Sequence, residues 1–195
     1  MNEVVESQEL VRFHEVRAGY NQPVVGPVSF GIRPGEVLGL SGANGSGKST
    51  LLKALTGAAR VFAGTIERDP ELGLAHHRQR PELPPELPLL GREMMDLLDA
   101  DPGQAPALLH PLLDKPLSQF SGGQFQFLQA CACLTSPARL VILDEPTNNL
   151  DGDAIEALSG LLNNIGPQRA VLLVSHEQEF LRLHCSRLVE LPKAA

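Results

Sequence analysis

The sequence predicts an α/β fold built on a parallel sheet. Three short apolar runs carry that expectation, at residues 37–40, 140–143 and 170–174. None alternates apolar with polar residues, and each runs into glycine-rich or polar residues, as strands buried on both faces do. Helical patterns separate them, and strands alternating with helices feed a parallel sheet.

In chain order, residues 10–16 alternate in part, and residues 24–32 follow the turn residues Asn21, Gln22 and Pro23. Both are expected strands. Pro34-Gly35 marks a turn before the run at 37–40. Residues 48–56 read as a helix with Leu51, Leu52 and Leu55 on one face and Gly57 at its end. The stretch PELPPELP, residues 81–88, excludes a regular helix or a central strand and reads as a surface loop or recognition segment. Residues 92–98 and 105–113 are short helix candidates, 124–134 a buried helix, and 153–162 a further helix. The runs at 140–143 and 170–174 end in Asp144-Glu145 and Ser175-His176.

Bulk properties narrow the function. A chain of 195 residues with 43% hydrophobic and 20% charged residues fits one globular domain, residues 1–195. A net charge of −7 argues against a non-specific grip on nucleic acid. No apolar run reaches the length of about 18 residues needed to span a bilayer. The acidic, polar start is not that of a secretory signal. Cys131, Cys133 and Cys185 form no CxxC pair and fit a reduced, cytosolic setting. Work at a membrane would therefore need recruitment by another chain.

The segment Gly42, Ala43, Asn44, Gly45, Ser46, Gly47, Lys48, Ser49 satisfies G-x-x-x-x-G-K-[ST] between an expected strand and an expected helix. Its glycines let the backbone curl so that N–H groups point at phosphate oxygens. The helix start adds its positive end. Lys48 is placed to reach the outer phosphates and the Ser49 hydroxyl to help hold Mg²⁺, with Thr50 a further phosphate contact. Downstream, Asp144 and Glu145 stand at the C-terminal end of a buried strand, where open α/β sheets bind ligands. Asp144 suits Mg²⁺ and Glu145 suits a general base for water attacking the γ-phosphate. Between these motifs lies Ser121, Gly122, Gly123, Gln124, a second anion cradle with a hydroxyl, a Gly-Gly backbone and a helix start.

This SGGQ, in that position, resembles the signature motif of the ATP-binding cassette (ABC) ATPases. The resemblance runs from about residue 10 to about residue 191 and rests on ordered motifs. It implies a P-loop NTPase fold: a RecA-like core, an N-terminal antiparallel β subdomain, and a small helical subdomain at about 81–135. It implies ATP as substrate, Mg²⁺ as cofactor, and a head-to-tail dimer in which each SGGQ caps the nucleotide of a second ABC domain, identical or not. Tyr20 resembles the aromatic that stacks on adenine. Gln79 falls where the family places a glutamine touching Mg²⁺ and water, with His77 the competing alignment. Asn149-Leu150-Asp151 resembles the loop crossing the dimer interface. His176 resembles the switch histidine beside the γ-phosphate. Glu145, His176 and Lys48 are the expected catalytic set, and Ser49, Gln79 and Asp144 the expected Mg²⁺ set.

The sequence also departs from the family. Phe125-Gln126-Phe127 follow SGGQ where basic or polar residues are common, and the stretch between Gln79 and Ser121 is short and proline-rich. The expected function is the ATPase subunit of a membrane transporter, held at the inner face of the membrane by a permease. EPTNNLD and SHEQEFL also resemble soluble cassettes acting on the translation apparatus, and a low-turnover regulatory cassette is a third reading. His76-His77 is expected to be solvated and without metal, and Cys131, Cys133, Phe120, Phe125 and Phe127 to pack in the core or an interface. Asp151, Asp153 and Glu156 read as a solvated helix start.

Overall fold

The computed structural model describes residues 9–78 and 88–192. Its first sheet is antiparallel, with β1 (Val11–Gly19) between β2 (Pro23–Ile32) and β4 (Arg60–Arg68). Val11, Phe13, Val16 and Ala18 of β1 are buried, with the alternation stepping across a register shift between Phe13 and Val16, so one face of this sheet covers the core. The second sheet is wholly parallel. Its order is β5 (Leu74–His77), β6 (Leu140–Asp144), β7 (Ala170–Val174), β3 (Val37–Ser41), β8 (Arg187–Glu190). The runs expected as strands buried on both faces are β3, β6 and β7.

Those strands divide two cores by residue parity. Leu38, Leu40, Leu140, Ile142, Leu172 and Val174 pack with α1 (Lys48–Leu55) and the antiparallel sheet. Val37, Val141, Leu143, Val171 and Leu173 face α3 (Gly122–Thr135), α4 (Gly152–Asn163) and α5 (Gln178–His184). Helix α3 is buried from Gln126 to Thr135 without a break, while Gln124 is exposed and Phe125 half-buried, so the buried stretch expected at 124–134 starts two residues later. Cys131 and Cys133 are free core residues whose thiols burial holds protonated, that of Cys133 pushed up to about 12.

The stretch before α3 differs from expectation. Residues 92–98 give a short helix, α2 (Gly91–Asp96), but residues 105–113 form a 3-10 turn, Ala107–Leu112. Pro111 removes an amide donor that an α-helix there would need. The PELPPELP segment lies outside the described residues up to position 87. His76 and His77 are not a solvated pair: they belong to β5, and His77 is 1% exposed under the parallel sheet's helices. Neither ring of the pair has a hydrogen-bond partner. Burial pushes both imidazoles down to about 4, His77 despite backbone groups at Asp144 and Gln126 that favour its charged form. No cluster of three or more metal-ligating side chains occurs among the described residues.

Candidate nucleotide site

Strand register assembles the site. Leu40 of β3 and Asp144 of β6 both pair with Val174 of β7, so three neighbouring strands end flush. The phosphate loop leaves β3, Asp144-Glu145 closes β6, and Ser175-His176 follows β7. Motifs as far apart in sequence as Gly42 and His176 thus converge at one edge, where open α/β sheets bind ligands.

The loop is held by its glycines. Gly47 has φ 94° and a Cβ there would lie 2.5 Å from the Val25 Cβ, so both backbone and space require glycine. Gly47 also opens α1 without any side-chain cap, and no acidic residue stands in the first turn. The first-turn amides therefore lack a side-chain partner, which is what an anion needs. Lys48 Nζ donates to the carbonyls of Gly42 at 2.8 Å and Ala43 at 3.3 Å, curling back over its own loop.

Facing the loop, Glu145 takes a left-handed backbone, φ 51°, and its N–H donates to Val174 O at 2.8 Å. Its Oε2 accepts from the His176 N–H at 3.2 Å and lies 2.7 Å from His176 Nδ1. The carboxylate is nearly buried at 11% exposure while the imidazole is 57% exposed, so the pair spans from wall to solvent. Asp144 next to it is pushed up to about 6 by burial and by the Glu145 charge, against the pull of Lys48 and Lys53. Thr147 donates its hydroxyl to Glu177 at 2.5 Å, tying the loop after β6 to the loop after β7.

One cavity of about 680 Å³ gathers most of the expected residues. Asn44, Gly45, Gly47, Lys48, Ser49 and Thr50 form one wall, Asp144, Glu145 and His176 another, and Tyr20 the rim. Tyr20 is 50% exposed, with Lys53 Nζ 5.5 Å from its ring centroid. Gly42, Ala43 and Ser46 shape the loop without lining the cavity, and the Ser46 hydroxyl is buried without a partner. Gln79 lies outside the described residues. Val24 and Asn148 also line the cavity and were not singled out from the sequence. Val24 is unremarkable as the second residue of a strand, and nothing in EPTNNLD distinguishes Asn148 from Asn149.

Ser121, Gly123 and Gln124 line a different cavity, of about 470 Å³, with Asn149, Leu150 and Asp151. Gly122 is exposed beside it. Ser121 Oγ accepts from the Gln124 N–H at 3.2 Å and the Ser121 N–H donates to Gln124 Oε1 at 3.0 Å, a reciprocal cap at the start of α3.

A phosphate loop on β3 facing paired carboxylates on β6 defines a P-loop nucleoside-triphosphatase. The particular family follows from comparison: residues 25–148 match the ABC transporter family. Over 170 residues the chain is 37% identical to the zinc import ATP-binding protein ZnuC of Paracoccus denitrificans, spanning 83% of this chain and 67% of that protein. It is 35% identical over 183 residues to the ZnuC of Cereibacter sphaeroides, spanning 89% of this chain and 74% of that one. Among solved structures, an ATP-binding subunit of an ABC transporter superposes with TM-score 0.82 at 26% identity, over 93% of this chain and 85% of that one. The chain belongs to the ABC ATPases, as an ATP-binding and ATP-hydrolysing subunit of an ABC transporter. These relatives do not favour a cassette of the translation apparatus.

Proposed function

We propose that this subunit powers uptake of a metal ion, zinc by its likeness to the ZnuC proteins, through a separate membrane permease. Among the described residues no helix is long and apolar enough to cross a membrane; the transport path is assigned to that permease. The proposed cycle starts with ATP entering the cavity between Tyr20 and the phosphate loop. Lys48 exchanges its two loop carbonyls for phosphate oxygens, so its ammonium meets a full negative charge in place of a carbonyl dipole. Glu145 then polarises the attacking water, and His176 holds the carboxylate in place.

The donor set fits Mg²⁺. Ser49 and Asp144 offer oxygen ligands on one cavity, and the raised Asp144 is a carboxylate that a neighbouring cation would relieve. When bound, the ion would neutralise charge on the transferring phosphoryl group. Gln79 is the further ligand proposed from the sequence. The single observation carrying the catalytic assignment is the Glu145–His176 pair at 2.7 Å, facing the phosphate loop across the cavity.

The SGGQ cradle does not line that cavity, so its nucleotide is proposed to be the one held by a second ABC domain. Glu145→Gln tests both halves of the reading. Phosphate release should fall by about 10²–10⁴-fold, the span of general-base catalysis, and Mg-ATP should hold the variant as a dimer in size-exclusion chromatography. Wild-type turnover in this variant would remove the base. Co-purification with a polytopic membrane protein, and zinc-stimulated turnover in the reconstituted complex, test the transport reading.

A further inference from the structure

The Phe125-Gln126-Phe127 segment places a polar side chain, Gln126, between two aromatics on a helix whose other polar residues beyond its first turn are Gln129 and Thr135. Gln126 is only 5% exposed. Its Oε1 accepts from Asn149 Nδ2 at 3.4 Å, a long bond but the one that reaches the loop after β6. A second contact fixes the same residue. A Cβ on Gly123 would lie 2.3 Å from the Asn149 carbonyl oxygen, so loop and helix backbones touch where only glycine fits. Asn149 itself is left-handed, φ 61°, a conformation asparagine tolerates better than most residues. Leu150 N–H closes a turn onto Thr147 O at 3.2 Å, and Thr147 is bound to Glu177.

We propose that Gln126 and Gly123 clamp the loop at residues 149–151 to the first turns of α3, so that this loop and the SGGQ cradle meet a partner as one rigid unit. Gln126 is thereby a positioning residue: it touches no nucleotide, yet fixes the angle between two exposed segments. The consequence for association rests on the two-domain nucleotide sandwich proposed above. The clamp itself is a property of the monomer. Because the loop is continuous with Glu145 through residues 146–148, a partner seated on the cradle also bears on the position of the base.

Two measurements on the full chain decide the matter. Gln126→Met keeps length and volume but removes the acceptor. Hydrogen exchange in the monomer should show the amides of residues 149–151 exchanging about 5- to 10-fold faster, with nucleotide affinity unchanged. Unchanged exchange overturns the clamp. The second measurement takes Gln126→Met, Asn149→Gly and the double variant into a Glu145→Gln background and reads Mg-ATP-driven dimerisation. The clamp requires the double variant to be no weaker than the worse single one, and multiplying effects overturn it. A Glu145→Gln parent that never dimerises would instead remove the sandwich and the clamp's consequence for association, while the exchange result still judges the clamp.

Discussion

Two helix starts in this molecule are proposed to take anions, and they are prepared in opposite ways. Helix α1 opens on an uncapped glycine above three flush strand ends, with its lysine tethered to its own loop. Helix α3 opens on Ser121, whose hydroxyl and amide are both satisfied by Gln124. The first leaves donors open inside a formed cavity and suits tight binding of a polyphosphate by one chain. The second is complete alone and sits exposed. Its cap contributes about 1 kcal/mol, which a charge-assisted bond to phosphate readily replaces. A cradle that closes on a ligand and recovers its own bonds on release suits a contact made and broken every cycle.

After Glu145→Gln, the largest effect should come from Lys48→Ala. Removing the one cation that caps the phosphate loop should lower turnover by roughly 10²–10³-fold, with ATP affinity, read by titration, falling alongside. Retained affinity would mean that the open amides of α1 suffice, and the contrast between the two helix starts would sharpen. Gly123→Ala attacks the other start. Its new Cβ meets the Asn149 carbonyl, so the loop must shift, costing about 1–3 kcal/mol by thermal unfolding. Dimer-dependent turnover should fall by about tenfold to a hundredfold, while ATP affinity of the monomer holds. Gly122→Ala, which meets open space, should leave stability unchanged.

The same contrast explains what the sequence could reveal. The strands β3, β6 and β7 were legible because burial on both faces leaves an unbroken apolar run. The phosphate loop and Asp144-Glu145 were legible because their chemistry fixes residue types at fixed spacing. Strand β4 was not, because it is mostly exposed and interrupted by Gly64. Strand β5 was hidden by His76-His77, which tertiary packing buries against local polarity. Helix α5 and strand β8, seven and four residues long, are too short for a period to show. Val24 and Asn148 reach the site only because the fold turns them onto its wall.

His77 lies between the two regions, near the backbones of Asp144 and Gln126, and makes their joint testable through pH. Its folded pKa is about 4 against 6.5 for an unhindered imidazole. The folded state thus binds fewer protons than the unfolded chain below pH about 6.5, and stability from this group is lost as pH falls from there to about 4. The loss is on the order of 3 kcal/mol. Denaturant titrations across that range should show His77→Leu falling less steeply than the wild type. Parallel curves would mean that the ring is hydrated or bonded.

Ser121→Ala should have a small effect on folding and the most selective effect on function. The cap lost is worth about 1 kcal/mol, or about 2–4 °C in thermal midpoint for a chain of this size. Nothing in the first cavity changes, since Ser121 does not line it, so ATP titration of the monomer should match the wild type. What should change is the concentration of Glu145→Gln chain needed to dimerise with Mg-ATP, because the hydroxyl offered to a partner's phosphate is gone. A midpoint drop without a weaker dimer would make Ser121 a helix cap and nothing more, leaving the backbone of Gly122 and Gly123 to do the capping of the nucleotide alone.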